Sequence, residues 1–269
     1  MRKKFATYLV CISISLFSCN KENNTKNEPQ PASVLYYSNS IDSSIGKIDL
    51  KNGNISTIFS KGVASGIQLP TFAAFALNTL NGEIYLSIEE NPGIIYKINT
   101  IGMATVLYSG SLAKDIRGIA YNSKNNNVYW INNTGRTIYR INADGTGTPT
   151  GLYGGANVGA RSYGLALDER NGKLYFTNFD AIFVGNLDGT GIPSTLYENR
   201  NDTIEQPNGL TLDITNNKIY WTDESADVVA SANLDGTGNF KILFNNTTHG
   251  VDRSDGLAID SVAKKIYWS

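Results

Sequence analysis

The sequence predicts an all-β protein folded as a β-propeller, and three repeated features predict it. A short strand with a central tyrosine recurs six times, 44 to 49 residues apart, at Tyr36, Tyr85, Tyr129, Tyr175, Tyr220 and Tyr267. A strand of the type GLALD (164–168) precedes it, and an Asp-Gly-Thr-Gly turn follows it in three repeats. Each repeat therefore forms one antiparallel sheet of four short strands. Several such sheets arranged radially bury each other's faces.

The remaining elements of the repeat support the same order of strands. An alternating apolar run such as TIYRIN (137–142) follows the tyrosine strand, and a fourth run such as KILF (241–244) comes after the turn. No pattern of helical period competes after residue 33. The Asp-Gly pairs at Asp144, Asp188 and Asp235 predict type I′ turns, in which both central residues have positive φ. We expect the aspartate that ends the first strand (Asp168, Asp213, Asp260) to cap the turn after it.

The N-terminus predicts export and a lipid anchor. Residues 1–19 have a basic start and an apolar run too short to span a bilayer, as in a signal peptide. The run ends in Leu-Phe-Ser-Cys, which resembles a bacterial lipobox, so Cys19 is the expected lipidation site. Residues 20–33 are polar and are expected to form a flexible tether. An ordinary cleaved signal peptide is the alternative.

Composition excludes several functions. The chain has 23 basic and 24 acidic residues, and removal of residues 1–19 leaves 20 basic and 24 acidic ones, a net charge of −4. An acidic protein gives no electrostatic reason to bind nucleic acid or anionic lipid. Both cysteines lie in residues 1–19, so residues 20–269 have no cysteine for a disulfide, a thiol nucleophile or a metal site.

One repeat carries a specific resemblance. The segment 209–223, which ends in KIYWTD, and the following Asn-Leu-Asp-Gly-Thr-Gly turn resemble the YWTD repeat, also called the class B repeat of the low-density lipoprotein receptor. The resemblance covers about 34–269 and implies a six-bladed β-propeller. Only Tyr220 to Asp223 match the tetrapeptide fully, and the other repeats diverge from it.

The ring predicted from these repeats is incomplete. Residues 34–269 are expected to form five blades and the start of a sixth, whose outer strands are missing after Ser269. The first repeat begins at its tyrosine strand and lacks the strand before it. We therefore expect a truncated last blade, with a natural open ring as the alternative.

The candidate binding site lies where each inner strand begins. In a propeller the innermost strand lines the central channel, so the residue before its first glycine faces the channel mouth. That position is occupied by Arg117, Tyr163, Asn208 and Asp255. One recurrent position with four different chemistries is typical of a ligand site.

A metal enzyme is the alternative function. Pro207-Asn208-Gly209-Leu210 and Asp255-Gly256-Leu257 are similar to motifs of the SMP-30 or gluconolactonase propellers. That resemblance implies Asn208 and Asp255 as ligands of Ca²⁺ or another divalent cation in a hydrolase. The early glutamate of those enzymes has no clear counterpart here. His249, the only histidine, lies in a polar loop and is expected to be solvated.

The sequence favours binding over catalysis, without deciding between them. We expect a lipid-anchored module of the cell envelope, an outer-membrane lipoprotein facing the periplasm or the surface. Its mouth would present Arg117, Tyr163, Asn208 and Asp255 to a protein, peptide or glycan, with no cofactor and no nucleic acid. A structural protein of the envelope with no discrete ligand is the third hypothesis.

Overall fold

The computed structural model describes residues 34–39, 44–60, 74–88, 92–199 and 204–269, together with the backbone of a strand at 15–17. This part of the chain is almost entirely β-structure. Its helices are one α-helix, α1 (Asn246–His249), and two 3-10 turns, at Ser111–Ala113 and Gly155–Asn157. Within the described ranges, no helix has the length and apolar character needed to cross a membrane.

The strands form six sheets, which we number as blades one to six in chain order. In each blade the strands are antiparallel and adjacent in sequence order. Blade one comprises β1 (Ser15–Phe17), β2 (Val34–Asn39), β3 (Ser44–Asp49) and β4 (Ile55–Ser60). Blade two comprises β5 (Phe75–Leu77), β6 (Ile84–Ile88), β7 (Gly93–Ile98) and β8 (Ala104–Gly110). Blade three comprises β9 (Ile119–Asn122), β10 (Asn127–Asn132), β11 (Thr137–Asn142) and β12 (Thr150–Gly154).

The last three blades follow the same order. Blade four comprises β13 (Leu165–Asp168), β14 (Lys173–Thr177), β15 (Ala181–Asn186) and β16 (Ser194–Glu198). Blade five comprises β17 (Pro207–Asp213), β18 (Lys218–Asp223), β19 (Val228–Asn233) and β20 (Lys241–Asn245). Blade six has two described strands, β21 (Leu257–Asp260) and β22 (Lys265–Trp268). The predicted propeller with a small last blade is therefore confirmed.

The hydrophobic core consists of layers between neighbouring blades. Five clusters of buried side chains join blades one and two, two and three, three and four, four and five, and five and six. The tyrosine strand supplies both layers because adjacent residues of a strand point to opposite faces. In blade three, Trp130 packs in the cluster shared with blade two, and Tyr129 packs in the cluster shared with blade four.

Tyrosines of the outer strands also connect neighbouring blades. The Tyr153 hydroxyl of blade three donates to the carbonyl oxygens of Asn186 (2.9 Å) and Thr190 (3.0 Å) in blade four. Tyr197 of blade four makes the same pair of contacts, to Asn233 (2.8 Å) and Thr237 (3.2 Å) in blade five. The Asp-Gly-Thr-Gly turn of one blade is thereby fixed to the preceding blade.

The predicted type I′ turns are wrong. The Gly145 amide donates to the Asn142 carbonyl (2.9 Å), which places Ala143 and Asp144 at the turn centre. Of the pair Asp144 and Gly145, only the glycine has positive φ, at 80°. The Asp144 side chain instead accepts from the amide and the hydroxyl of Thr146, at 2.9 and 2.7 Å. Asp188 and Asp235 repeat these contacts.

The turns after the inner strands agree with the prediction. The Asp168 carboxylate accepts from the amide (2.9 Å) and the side chain (2.7 Å) of Asn171, and Asp213 accepts likewise from Asn216. Asp260 accepts from the amides of Val262 and Ala263. These buried aspartates therefore satisfy turn donors.

The inner edge of blade one differs from the sequence prediction. The first repeat was expected to lack its inner strand, but Ser15–Phe17 pairs with Val34–Tyr36 in that position and lies beside β21 of blade six. This strand was not predicted from the sequence because its residues belong to the apolar run that was assigned to a signal peptide. Cleavage before Cys19 would remove β1 and leave blade one with β2, β3 and β4, so the boundaries at residues 19 and 33 stay predictions.

Candidate functional site

The four predicted mouth residues line one cavity. Arg117, Tyr163, Asn208 and Asp255 all contribute to the wall of a central channel of about 490 Å³. Below them the wall is formed by the inner strands of blades two to six, mainly by aliphatic residues such as Leu165. The equivalent loop of blade two, around Pro70, lies outside the described residues. We call the end of the channel that carries these residues the mouth face and the opposite end the lower face.

The glycine after three of the mouth residues, Arg117, Tyr163 and Asn208, is required by a close approach between blades. A Cβ atom on Gly164 would lie 2.5 Å from the Asn208 carbonyl oxygen, and one on Gly209 would lie 2.3 Å from the Asp255 carbonyl oxygen. Real Cβ atoms do not come this close to a carbonyl oxygen. The glycine therefore lets the backbone of the next mouth residue sit directly against the inner strand, which sets the spacing of the mouth residues around the ring.

Three mouth loops share a backbone bend that the sequence did not reveal. Asp115, Arg161 and Arg253, each two residues before a mouth residue, have φ of 46°, 59° and 47°. Positive φ in a residue other than glycine is strained and is maintained by its surroundings. In blade five the same position is Gln206, which precedes a proline and lacks positive φ, as expected for such a residue. The bend directs the following residues toward the channel.

The blade-three and blade-four side of the mouth combines cations with aromatic rings. The Arg117 guanidinium lies over the Tyr163 ring, 5.1 Å from its centroid, and its Nε is 3.3 Å from Asp115 Oδ1. Burial raises the pKa of Tyr163, and the nearby Arg117 charge acts in the opposite direction. Arg161 lies 5.3 Å from the ring centre of Phe179, a half-exposed residue that the sequence did not single out.

The blade-five and blade-six side is a hydrogen-bonded network around Asn208. The side chain of Asn208 is 3% exposed, and its Nδ2 donates to Asp255 Oδ1 (2.6 Å) and to Glu224 Oε2 (3.1 Å). Glu224 also accepts from Arg253 Nη2 (2.9 Å) and from the side chain of Gln206. Glu224 is therefore the central acceptor of this side, and sequence reasoning missed it. The only signal was its place directly after the YWTD tetrapeptide, at a turn on the mouth face.

The buried Asp223 holds the loop that carries Asn208. Its carboxylate accepts from the backbone amides of Glu205 (2.9 Å), Gln206 (3.0 Å) and Ala226 (3.0 Å). Arg161 extends from blade four to the same loop, with Nη1 3.0 Å from Gln206 Oε1. Within the described part of the chain, the contacts of Arg161 are to neutral groups.

The fit to a divalent cation is partial. Asn208 Oδ1 is buried and has no hydrogen-bond partner among the described residues, so it is an amide oxygen of the kind that binds Ca²⁺. However, the Asn208 nitrogen rather than this oxygen faces the carboxylates of Asp255 and Glu224. Across the described ranges, no group of three or more His, Cys, Asp or Glu residues is arranged to hold a metal. The metal alternative stays a prediction.

Of the other two candidates, His249 is not among the residues that line the channel. Cys19 lies outside the described residues. His249 is exposed at the end of α1, where its ring packs edge-on against Phe244, 5.1 Å between centroids. The fold and the mouth together define a β-propeller whose channel opens onto a rim of varied polar side chains.

Comparisons with known proteins give the type of repeat. Residues 217–261 match the profile of the low-density lipoprotein receptor repeat class B, so the chain carries a repeat of that class. The protein cueball of Drosophila sechellia is 28% identical over 155 residues, which cover 56% of this chain and 22% of cueball. The chain thus spans about a fifth of that relative.

Solved structures show the same fold. A chain of the nidogen–laminin complex superposes with a TM-score of 0.72 at 19% identity, over 88% of this chain and 84% of that chain. An auxiliary nutrient binding protein from Bacteroides ovatus superposes with a TM-score of 0.68 at 13% identity, over 96% and 74%. At these identities the likeness establishes the fold alone.

Proposed function

We propose that this chain is a lipid-anchored recognition module of the cell envelope whose mouth binds a protein, peptide or glycan. One observation carries the proposal. The single repeat position that varies as Arg117, Tyr163, Asn208 and Asp255 converges on one cavity, while the glycine after it stays the same. A fixed scaffold with variable rim residues is the usual construction of a binding surface.

The chemistry of the rim suits recognition. Arg117 and Asp255 supply opposite charges, Tyr163 supplies a flat amphipathic surface, and Asn208 supplies hydrogen bonds. Tyrosine and arginine are enriched among residues that dominate binding energy. The channel beneath them combines aliphatic side chains with polar surface, so it suits a ligand group that is partly apolar and partly polar.

Among the three ligand classes, the rim favours a protein or peptide. Sugars bind proteins largely by stacking on open aromatic faces, and Arg117 and Arg161 already cover one face each of Tyr163 and Phe179. The remaining channel wall is mostly aliphatic. The nidogen–laminin neighbour, described as a complex of two proteins, supports the same preference by analogy of fold alone.

The anchor and the location belong to the same proposal. Acylation of Cys19 would hold the domain at a membrane without a spanning helix, because several acyl chains together anchor stably. The proposed location is the outer membrane, facing the periplasm or the surface. The mass of the mature protein tests this directly, since cleavage before Cys19 and acylation change it in a defined way.

Site-specific photo-crosslinking in intact envelopes tests the binding function. A benzophenone amino acid replaces Phe179 at the rim, and the matched control carries it at Arg170, an exposed residue of the lower face in blade four. We expect the Phe179 position to yield a discrete crosslinked species that Asp255→Ala and Arg161→Ala weaken. Equal crosslinking from both positions, or insensitivity to both substitutions, would overturn the assignment of the mouth as the binding surface.

One observation favours a second candidate, the metal-dependent hydrolase. The unpartnered Asn208 Oδ1 is an available oxygen ligand. A thermal-shift titration with Ca²⁺, Mn²⁺ and Zn²⁺ separates the candidates, because saturation at 100 times Kd stabilises a protein by about 2.7 kcal/mol. If the chain is a recognition module, we expect the metal ions to leave its Tm unchanged. A shift that disappears in Asn208→Ala would instead support the hydrolase.

A further inference from the structure

The turns of the lower face differ in polarity around the ring. The first turn of each blade, between its inner strand and its tyrosine strand, has one outward position that is equivalent in blades two to six. It is occupied by Leu80, Lys124, Arg170, Thr215 and Val262. Leu80 is 76% exposed and Val262 is 43% exposed. The apolar members therefore lie in blades two and six, the neighbours of blade one.

The second turn of the lower face shows the same departure in blade two. Blades three to five carry Asp-Gly-Thr here, whereas blade two carries Ile101-Gly102-Met103. The backbone is unchanged, because Gly102 has φ of 81° and its amide donates to Asn99 O (3.0 Å) as Gly145 does to Asn142. Ile101 and Met103 are 75% and 60% exposed. The turn does not require apolar residues, so they call for another explanation.

These apolar residues lie on neighbouring turns and strands of blades one and two. A Cβ on Gly82, in the Leu80 turn, would lie 3.1 Å from the side chain of Thr100 in the second turn. A Cβ on Gly102 would lie 2.8 Å from the Ile58 carbonyl in β4. Exposed Ile55 begins the same strand. We call Ile55, Leu80, Ile101 and Met103 the apolar patch; exposed Ile192 of blade four lies apart from it.

The chain enters the propeller beside this patch. Inner strands run from the mouth face to the lower face, so the antiparallel β2 begins at the lower face with Val34. The predicted tether of residues 20–33 therefore joins blade one at the lower face, between the two blades with apolar first turns.

We propose that the apolar patch rests on the bilayer that holds the lipid anchor, so that the mouth is directed away from the membrane. This inference rests on the proposed acylation of Cys19. A flexible chain of 14 residues, the length of the predicted tether, has an end-to-end distance of about 20 Å. It keeps the patch close to the lipid, so that a weak apolar contact becomes intramolecular and is populated.

The charged turns of blades three to five determine which side of the lower face approaches the membrane. Asp144, Asp188 and Asp235 occupy the lower face of blades three to five, and hydrogen bonds from the neighbouring threonines lower the pKa of each. They stay ionised at neutral pH and resist entry into lipid. The disc is thus expected to tilt, with blades one and two toward the membrane.

Fluorescent labelling of the acylated full-length protein in vesicles tests the contact. A single cysteine is introduced as Leu80→Cys, Ile55→Cys, Arg170→Cys or Phe179→Cys and labelled with an environment-sensitive dye. The vesicles contain phosphatidylethanolamine and phosphatidylglycerol, with or without nitroxide groups on the acyl chains. We expect nitroxide lipids to quench the dye at Leu80 and Ile55 and to leave the dyes at Arg170, on the lower face of blade four, and at Phe179 unquenched.

A swap of residues within the repeat provides the matched variant. Leu80→Arg, Ile101→Asp and Met103→Thr transfer the blade-four residues to the same positions of blade two, where the backbone already accommodates them. In this background the dye at Ile55 is expected to lose its quenching, while the protein still floats with vesicles through its anchor.

The outcomes separate this inference from the function on which it rests. An unmodified mass and no flotation of any variant would refute the anchor and, with it, the contact. Flotation with equal quenching at Leu80 and Arg170 would overturn the contact and leave the anchor standing. If the fluorescence of the dye at position 80 depends on protein concentration without vesicles, the patch mediates self-association and the membrane contact is overturned.

Discussion

Replacement of Asp223 by alanine tests how the fold fixes the mouth. The buried Asp223 carboxylate accepts three backbone amides, from Glu205, Gln206 and Ala226, at 2.9 to 3.0 Å. The first two belong to the loop that carries Asn208. Asp223→Ala leaves these donors without their acceptor and releases the loop from the tyrosine strand of blade five.

The expected loss of stability follows from these contacts. A hydrogen bond to a charged group contributes about 1.5–3 kcal/mol, and an unpaired buried donor costs about 1–3 kcal/mol. The three bonds share one carboxylate, so their effects are not additive. We expect the free energy of unfolding to fall by about 4 kcal/mol. For a domain of this size each kcal/mol lowers Tm by about 2–4 °C, so Tm should fall by about 8–16 °C.

Thermal and urea unfolding of matched variants measure this loss. Asp223→Asn keeps one acceptor oxygen, the one that serves Gln206 and Ala226, and should lose less than half as much as Asp223→Ala. Blade three already has Asn132 at this position. Arg170→Ala, an exposed control, should change stability by less than about 0.5 kcal/mol. A fall below about 1 kcal/mol for Asp223→Ala would refute the reasoning, because other contacts would then hold the loop.

Three further predictions concern packing and pH. Tyr153→Phe and Tyr197→Phe each remove a hydroxyl that contacts the next blade and should lower the urea-unfolding free energy by about 1 kcal/mol. An unchanged value would show that these contacts do not stabilise the fold. In Gly164→Ala the new Cβ would lie 2.5 Å from Asn208 O, so the free energy of unfolding should fall by about 1–3 kcal/mol or more. An unchanged free energy would contradict the close approach. Burial raises the pKa of Tyr175 to about 12 from 10.0. The stabilisation that neutral Tyr175 gives the folded state is therefore complete below pH 10 and is lost between pH 10 and 12. Unfolding monitored across that range should show decreasing stability, and a flat profile would contradict it.

The fold was predictable because a propeller repeats its physical requirements in every blade. Each blade must place large side chains on both faces of its second strand, which recurs as the pair Tyr129-Trp130 and as Tyr220-Trp221. The inner strands of blades three to five must let the backbone of the next blade approach, which recurs as a glycine. A requirement that recurs is visible in one sequence without any relatives.

Three features could not be predicted from the repeat pattern. Glu224 organises one side of the mouth, but of the other repeats only the second has an acid at that position, Glu89, so no period marks it. The strained φ of Arg161 and Arg253 carries no residue signature, because arginine has no preference for the left-handed region. The type I′ turns were wrong because threonine two residues after the aspartate offers that side chain a local bond. Side-chain bonds of this kind compete with the backbone preference.

Asn208→Asp decides whether the mouth network is a hydrogen-bond hub or an incomplete cation site. The substitution removes the Nδ2 donor, which lies 2.6 Å from Asp255 Oδ1 and 3.1 Å from Glu224 Oε2, and places a third carboxylate against these two. Like charges at this distance repel, so Asn208→Asp should unfold at a lower temperature than the wild type in chelator. Added Ca²⁺ should restore Tm by binding the three carboxylates, and it should leave the wild type unchanged. If Ca²⁺ stabilises the wild type as much as the variant, the Asn208 amide must turn its oxygen to the cation. The hub described here would then be the metal-free form of the hydrolase site.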